Sequence, residues 1–505
     1  MIEIKSLKFE KTRKFSKNFL DYINTKTPTL NSINFKTKNY LFGNDKREII
    51  QNTIKNQYKN FEISSEVQKN IKLLDDKNTY TVTTGHQLNI FTGPLYVIYK
   101  IITTINLAER LNKTYKNKNF IPIYWMASED HDFDEIKSFY LFGKNYDWDI
   151  KSSGAVGNLE PRGIKEILDK LPEKLPLFER AYLKQTTLSN SVLDYMNELF
   201  GKYGLIVLDP NHKKLKKIFT GIIQDDIINN SIKKLNSDSS KKPLVNVRKI
   251  NFFYIKKNLR ARIIKEENQY KINNTSLTFS EKEIIKEIKT NPQSFSPNVI
   301  MRCLYQQLIL PNLVYVGGPS EVEYWLEFEK FFKHYDILFP IIVPRNFALV
   351  IQNKIQTKLK QLNIQFDDLF KEKPELERLI LKNQSNKTFE LKKERMKIEK
   401  EMDNILKKSE IIEQSISGKI LALRKKTINE INAIEKKMIK EEKKNHQKSL
   451  DKLNKIYSKL FPDKVLQERK ENFLNYHLSD KNFIQNLVNN FDPLKFDFNI
   501  ISKQQ

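Results

Sequence analysis

Four short runs of β-branched and aromatic residues, each closed by a polar or glycine-bearing loop, restrict this chain more than any other feature. They lie at 79–84, 120–127, 204–209 and 313–316. After the first, Ile98, Ile101, Ile102, Ile105 and Ala108 recur at helical spacing over about 95–111, and Pro94 suits a first-turn position. The second, which includes Tyr124 and Trp125, is apolar nearly throughout, as in a strand covered on both faces. The fourth opens into a helix carrying Tyr324, Trp325, Phe328, Phe331 and Phe332, a stripe suited to a core. This repeated order of strand, loop and helix predicts an α/β fold built on a doubly wound parallel sheet. In such a sheet the carboxyl ends of the strands share one edge, so loops remote in sequence converge there on a crevice.

The predicted core covers 1–350, interrupted by polar insertions at about 145–200 and 235–295, the second with a β-hairpin around 251–270. Over 352–460 the composition shifts to Lys, Glu, Ile and Leu. There Ile398, Met402, Ile405, Ile412 and Ile416, then Ile420, Leu423, Ile431, Ile434 and Met438, keep the spacing of a heptad seam, which predicts a coiled coil. Its apolar stripe pairs either with itself, as an antiparallel hairpin, or with another chain, and Gly418 offers a bend. Over 461–505 aromatics return at Phe473, Phe483, Phe491, Phe496 and Phe498, as expected of a segment that packs back on the core.

The 88 Lys and Arg outnumber 61 Asp and Glu among 505 residues, a formal charge of +27. Such a balance suits nucleic acid, but the lysines are dispersed and often alternate with Glu along the helical region, so a solvated basic surface is favoured. No stretch approaches 18 consecutive apolar residues and no early segment has the order of an export signal, so the expectation is a cytoplasmic protein without membrane contact. The single Cys303 excludes an intrachain disulfide and a multi-cysteine zinc site, and its apolar setting fits a buried thiol.

The loop after the first strand contains Gly85, His86, Gln87, Thr92, Gly93 and Pro94. Its glycines permit close backbone approach, and the helix start beyond it attracts anions. His86 has the chemistry to donate to a phosphoryl oxygen or to serve as acid or base; the same residues equally shape a tight turn. The spacing matches neither a phosphate-loop lysine motif nor a dinucleotide fingerprint. The second loop crowds Glu129, Asp130, Asp132, Asp134 and Glu135 around His131, which calls for cations, a substrate amine or solvent. A divalent metal and an ammonium-binding site with general-base chemistry both answer that need, while Asp132, Asp134 and Glu135 also read as a helix cap. The loop after the fourth strand, Gly317-Gly318-Pro319-Ser320-Glu321, again permits backbone approach, with Tyr324 one turn on. Arg302 and Arg345 suit carboxylates because guanidinium forks match them.

These blocks resemble the bacillithiol biosynthesis cysteine-adding enzyme family. The likeness rests on Thr83-Thr84-Gly85-His86-Gln87 with Phe91-Thr92-Gly93-Pro94-Leu95-Tyr96, on Glu129-Asp130-His131-Asp132-Phe133-Asp134-Glu135, and on Tyr315-Val316-Gly317-Gly318-Pro319-Ser320-Glu321-Val322-Glu323-Tyr324-Trp325. It extends to Asn298-Val299 with Arg302, the coiled coil and Asp492-Pro493-Leu494. The resemblance implies a Rossmann-like core related to class I aminoacyl-tRNA synthetases, connecting insertions, and a coiled coil that mediates a homodimer. The implied reaction adds L-cysteine to glucosaminyl malate in the last step of bacillithiol biosynthesis, with ATP and Mg2+ activating the carboxyl and no tightly bound metal.

Carried onto this chain, the resemblance gives catalytic roles to His86, Asp130, His131 and Asp132, and nucleotide or phosphate contacts to Gly85, His86, Gln87, Thr92, Gly93 and Pro94. Substrate contacts fall to Trp125, Glu129, Asp134, Glu135, Arg302, Tyr315, Gly317, Gly318, Glu321, Tyr324 and Arg345. Asp130 or His131 would take the proton of the attacking amine, and Arg302 or Arg345 would hold malate carboxylates. The rival readings are a metal-dependent hydrolase or nucleotidyltransferase that uses the acidic loop, and a non-catalytic coiled-coil adaptor or RNA-binding protein.

Overall fold

The structure, a computed structural model, describes residues 2–26, 28–37, 42–237, 244–385 and 388–503, so the 238–243 portion of the second predicted insertion lies outside the described residues. Strands β1 (Thr79–His86), β2 (Asn119–Met126), β3 (Ile206–Leu208), β4 (Asn312–Gly317) and β5 (Ile341–Pro344) form one parallel sheet in the order β5-β4-β1-β2-β3. Four of these are the predicted runs. The fifth, only four residues long, is closed by Pro340 on one side and ends on Pro344, too short for a periodic signal.

Helix α1 (Tyr96–Thr114) joins β1 to β2, α2 (Lys213–Asn229) follows β3, α3 (Val299–Ile309) precedes β4, and α4 (Pro319–Glu327) follows it. In β1 every residue but His86 is buried, as a central strand covered on both faces requires. Thr83 pairs with Ile123 of β2 on one side and Tyr315 of β4 on the other. The chain runs outward from β1 through β2 to β3, then returns to the far side of β1 at β4. The strand order therefore reverses between β1 and β4, the point at which open α/β sheets hold ligands.

The first insertion folds as helices Ile164–Lys170, Pro176–Lys184 and Leu188–Phe200. Polar as it reads, it still places Phe178 and Tyr182 5.1 and 5.2 Å from the Phe91 ring, bracing the loop after β1. The second contains an antiparallel sheet in which Phe252–Lys256 and Leu259–Glu266 form the expected hairpin and Phe295–Pro297 pairs with the first of them. This small sheet carries side chains across the carboxyl edge of the main one.

Helices α5 (Lys392–Ile412) and α6 (Ser417–Asn445) run antiparallel: Arg395 Nη1 meets Asn432 Oδ1 at 2.7 Å, and Arg424 Nη1 meets Asp403 Oδ1 at 2.7 Å. Of the two topologies open to the seam, this is the hairpin. Its turn begins at the extended Glu413 (φ −160°), and Gly418 lies within the first turn of α6. Helix α7 (Gln447–Leu460) then buries Leu450, Leu453, Ile456 and Leu460. Beyond it Phe473, Phe483, Phe491 and Phe498 are buried, and Asn106 of α1 donates to the carbonyls of Val488 and Phe491. A last sheet pairs Ile2–Leu7 antiparallel with Phe498–Lys503, which runs parallel to Phe347–Ile351. Among the described residues no helix is long and apolar enough to cross a membrane.

Candidate functional site

A cleft of about 780 Å³ opens at the reversal between β1 and β4, lined by the ends of β1, β2 and β4, the start of α3, the start of α4 and the inserted sheet. Its floor is Gly85. A Cβ there would lie 3.3 Å from Arg302 Nη1, so the glycine lets the guanidinium rest close against the strand end. Beneath it, Lys100 Nζ donates to Gly85 O at 2.5 Å and to Glu321 Oε1 and Oε2 at 3.0 and 2.7 Å. Glu321 also accepts from Tyr315 Oη (2.5 Å) and from the Gly318 N–H (2.8 Å). Burial raises the Glu321 pKa, but Lys100 and these donors outweigh it and hold the carboxyl at about 2. The Glu321 carboxylate is thus engaged by the Gly318 amide, Tyr315 and Lys100.

His86 ends β1 half-buried, its ring centroid 5.3 Å from that of Tyr96 and its Nε2 3.4 Å from Tyr96 Oη. Burial, with the Lys100 charge, pushes its pKa down to about 3, so the ring is neutral at neutral pH. Arg302 sits on α3, whose first turn is capped by Asn298 accepting from Ile300 N–H and Met301 N–H. Its Nη1 donates to Gln306 Oε1 at 3.1 Å and its guanidinium lies 5.6 Å from the Tyr315 ring. Among the described residues no carboxylate forms an ion pair with Arg302, so its charge is available to an anion in the cleft.

The opposite wall is the acidic loop. Asp130 Oδ2 accepts from Gln87 Nε2 at 2.9 Å and Oδ1 from the His131 N–H at 2.8 Å, with Arg260 Nη1 at 3.4 Å. Burial pushes the Asp130 pKa up, but His131, Arg260 and Gln87 together hold the carboxyl well below the usual range. Glu129, deeper, meets Lys216 Nζ at 2.5 Å, and burial shifts both toward neutrality, the acid upward and the ammonium downward. Trp125, Glu135 and Tyr324 complete the lining contributed by predicted residues.

Other predicted residues stand apart. Thr92, Gly93 and Pro94 are not in the cleft: Asn472 Nδ2 donates to the carbonyls of Phe91 and Gly93, both at 2.7 Å, and the Leu95 N–H donates to Glu471 O at 2.7 Å. The helix start expected to cradle phosphate is filled by the chain's own C-terminal segment. Arg345 is buried in an ion pair with Glu468 (2.6 Å), lies over the Phe347 ring, and lines an adjoining pocket in place of this cleft. Gly317 packs against Glu321, where a Cβ would meet Glu321 Cβ at 3.0 Å. Asp132 caps the Phe133–Ile136 turn by accepting from the Glu135 N–H, and Asp134 pairs with Lys137 at 2.6 Å; both face a neighbouring shallow depression. Among the described residues no group of three or more His, Cys, Asp and Glu side chains could hold a metal ion.

Two charged cleft residues escape sequence reading. Arg260 and Arg248 come from the second insertion, in stretches with no glycine motif or periodicity to single them out. The first reaches the acidic loop; the second lines the cleft mouth without an ion-pair partner among the described residues.

The fold and cleft define a Rossmann-like α/β protein with a ligand site at its topological switch point and a helical hairpin appended. Residues 2–346 match the family described as bacillithiol biosynthesis BshC, N-terminal Rossmann-like domain, and 348–503 match its C-terminal coiled-coil domain. The chain is 40% identical to the "Putative cysteine ligase BshC" of Flavobacterium psychrophilum over 98% of each chain, and 38% identical to that of Flavobacterium johnsoniae over 97% of each. The protein of the same name from Bacillus anthracis is 30% identical over 81% of each chain. The chain belongs to the BshC family of bacillithiol biosynthesis.

Proposed function

We propose that the protein is a cytoplasmic cysteine ligase that joins the carboxyl group of L-cysteine to the amine of glucosaminyl malate. One observation carries the reading: in a member of this family, an unpaired guanidinium, Arg302, and an ionised acid, Asp130, line the same cleft. Both substrates bear carboxylates and an amine, so a site with one group of each sign answers their chemistry. In the reaction the amine nitrogen bonds to the cysteine carbonyl carbon, the C–O bond to the activating group breaks, and the nitrogen loses a proton. Asp130 would hold the amine and accept that proton, and Arg302 would hold a carboxylate. Neutral His86 would serve as a hydrogen-bond partner and not as a cation.

A free carboxylate has no leaving group, and ATP with Mg2+ would supply one. The donor left to fit its phosphates is Arg248, since the helix start at Gly93 and Pro94 is already filled. The test is incubation of purified protein with L-cysteine and glucosaminyl malate, with and without ATP and Mg2+, following thiol product and nucleotide by mass spectrometry. ATP-dependent product supports the ligase, and release of AMP or ADP names the activation; no product under these conditions removes the reading.

The same reading includes a homodimer through the helical hairpin. Ile411 and Ile412 at its tip are 86% and 81% exposed, and Leu421, Leu423 and Ile434 add apolar surface along α6. Sedimentation of the protein and of an Ile411→Glu, Ile412→Glu variant tests it, with a shift from dimer to monomer expected.

A further inference from the structure

We propose that Arg260 is a positioning residue of the acidic loop: by donating to His131 Nδ1 it fixes His131 in the tautomer protonated at Nε2, which makes the ring a hydrogen-bond donor to the ligand and not a base. The argument starts from how firmly the guanidinium is held. Arg260 stands on the Leu259–Glu266 strand of the inserted sheet, with its side chain 6% exposed. Its Nε donates to Ser296 Oγ at 3.2 Å, and its Cζ lies 4.0 Å from the Phe253 ring centroid. From there Nη1 reaches Asp130 Oδ1 at 3.4 Å and makes a short contact with His131 Nδ1.

A guanidinium is protonated at every accessible pH and has no acceptor, so a ring nitrogen in contact with it must offer a lone pair. The alternative, Nδ1–H donating to Asp130 Oδ1 at 3.3 Å, would set two N–H groups against each other. Nor does Asp130 need that bond: Oδ1 already accepts the His131 N–H at 2.8 Å, and Oδ2 accepts Gln87 at 2.9 Å. With Nδ1 taken, the neutral ring carries its proton on Nε2. His131 then has no free lone pair, and Asp130 is left as the proton acceptor of the loop. The inserted sheet thereby sets the chemistry of a loop more than a hundred residues away in sequence. The catalytic consequence rests on the ligase reading above; the tautomer does not.

The test is long-range 1H–15N correlation on the full-length protein labelled with 15N-histidine, at neutral pH, with His131→Gln assigning the resonance. The expected wild-type pattern is a bare Nδ1 and a protonated Nε2. In Arg260→Leu the proton moves to Nδ1, toward Asp130, whereas Arg260→Lys keeps a cation in place and retains most of the wild-type pattern. In the ligation assay Arg260→Leu lowers kcat about 10–100-fold, the usual worth of a group that orients a working histidine, with the KM for cysteine unchanged. A wild-type ring protonated at Nδ1, or an Arg260→Leu ring identical to wild type, overturns the proposal. Should Arg260→Leu fail to fold, the wild-type pattern and Arg260→Lys still decide. Absence of ligation by the wild type overturns the proposed reaction alone, since the tautomer is read without turnover.

Discussion

Lys100 Nζ lies 2.7 Å from Glu321 Oε2, so the helix after β1 is tied to the start of the helix after β4 directly beneath the cleft floor. The pair spans the reversal in strand order and fixes the spacing of the two loops that frame the cleft. With the Lys100 side chain 2% exposed, an ammonium that loses its partner has no water to turn to. Glu321→Gln should therefore destabilise the fold by about 3–5 kcal/mol, read as a lower urea midpoint, and pairing it with Lys100→Met should restore much of the loss. Because the Glu321 carboxyl is held at about 2 against an ordinary 4.5, its contribution is complete above pH 4.5 and drains away as pH falls toward 2. The variant should show a flatter stability curve in that window.

His86 has the opposite chemistry and the same sign. Its pKa is pushed from 6.5 down to about 3, so the unfolded chain takes up a proton there that the folded one refuses. The stability that follows is whole above pH 6.5 and is lost as pH falls toward 3. Urea unfolding at pH 7 and pH 5 should show a smaller drop for His86→Asn than for the wild type. An equal drop would mean that the ring titrates freely.

Arg302→Met removes a charge that forms no ion pair among the described residues, so the fold should melt close to the wild-type temperature. Ligand binding should suffer instead. A lost charge-assisted hydrogen bond is worth about 1.5–3 kcal/mol, or roughly 10–150-fold in kcat/KM for the carboxylate substrate. Thermal melting alongside a substrate titration separates the two effects.

Asn472 is the most exacting position outside the cleft. Phe91, Thr92 and Gly93 all adopt positive φ (50°, 72° and 65°), a conformation that non-glycine residues hold only when their surroundings insist. Asn472 supplies both donors to this corner. Asn472→Ala should cost about 1–3 kcal/mol for each carbonyl left buried without a partner. Faster amide exchange over 85–95 in that variant would show that the C-terminal segment holds the loop; unchanged exchange would show that the aromatic bracing of Phe91 is enough.

Much of this was legible in advance because it is local. The β-branched runs, the proline and glycines at their ends and the helical spacing of Ile98 to Ala108 name the sheet and the edge on which Gly85, Asp130 and Glu321 meet. What sequence leaves open is long-range pairing. Arg345 has the same side chain as Arg302, yet its charge is met by Glu468, 123 positions later. Gly93 reads as a phosphate corner until Asn472, 379 positions on, is seen to occupy it. Arg260 is unremarked in a hairpin of ordinary polarity, because its importance lies in where the insertion folds back. Heptad spacing, similarly, marks the apolar stripe of α5 and α6 but is silent on its partner; ion pairs such as Arg424 with Asp403 settle the direction.

The sheet that pairs Ile2–Leu7 with Phe498–Lys503 imposes an order on the birth of the molecule. The earlier of these strands can find its partner only after the residues between them have been made, and at roughly 5–20 residues per second that interval is roughly 25–100 s. Throughout it the Rossmann-like core is free to assemble, while an early strand edge stays open to the wrong neighbour. The same sheet thus closes late in each new copy, and a slow or interrupted translation would leave its early edge exposed to other chains.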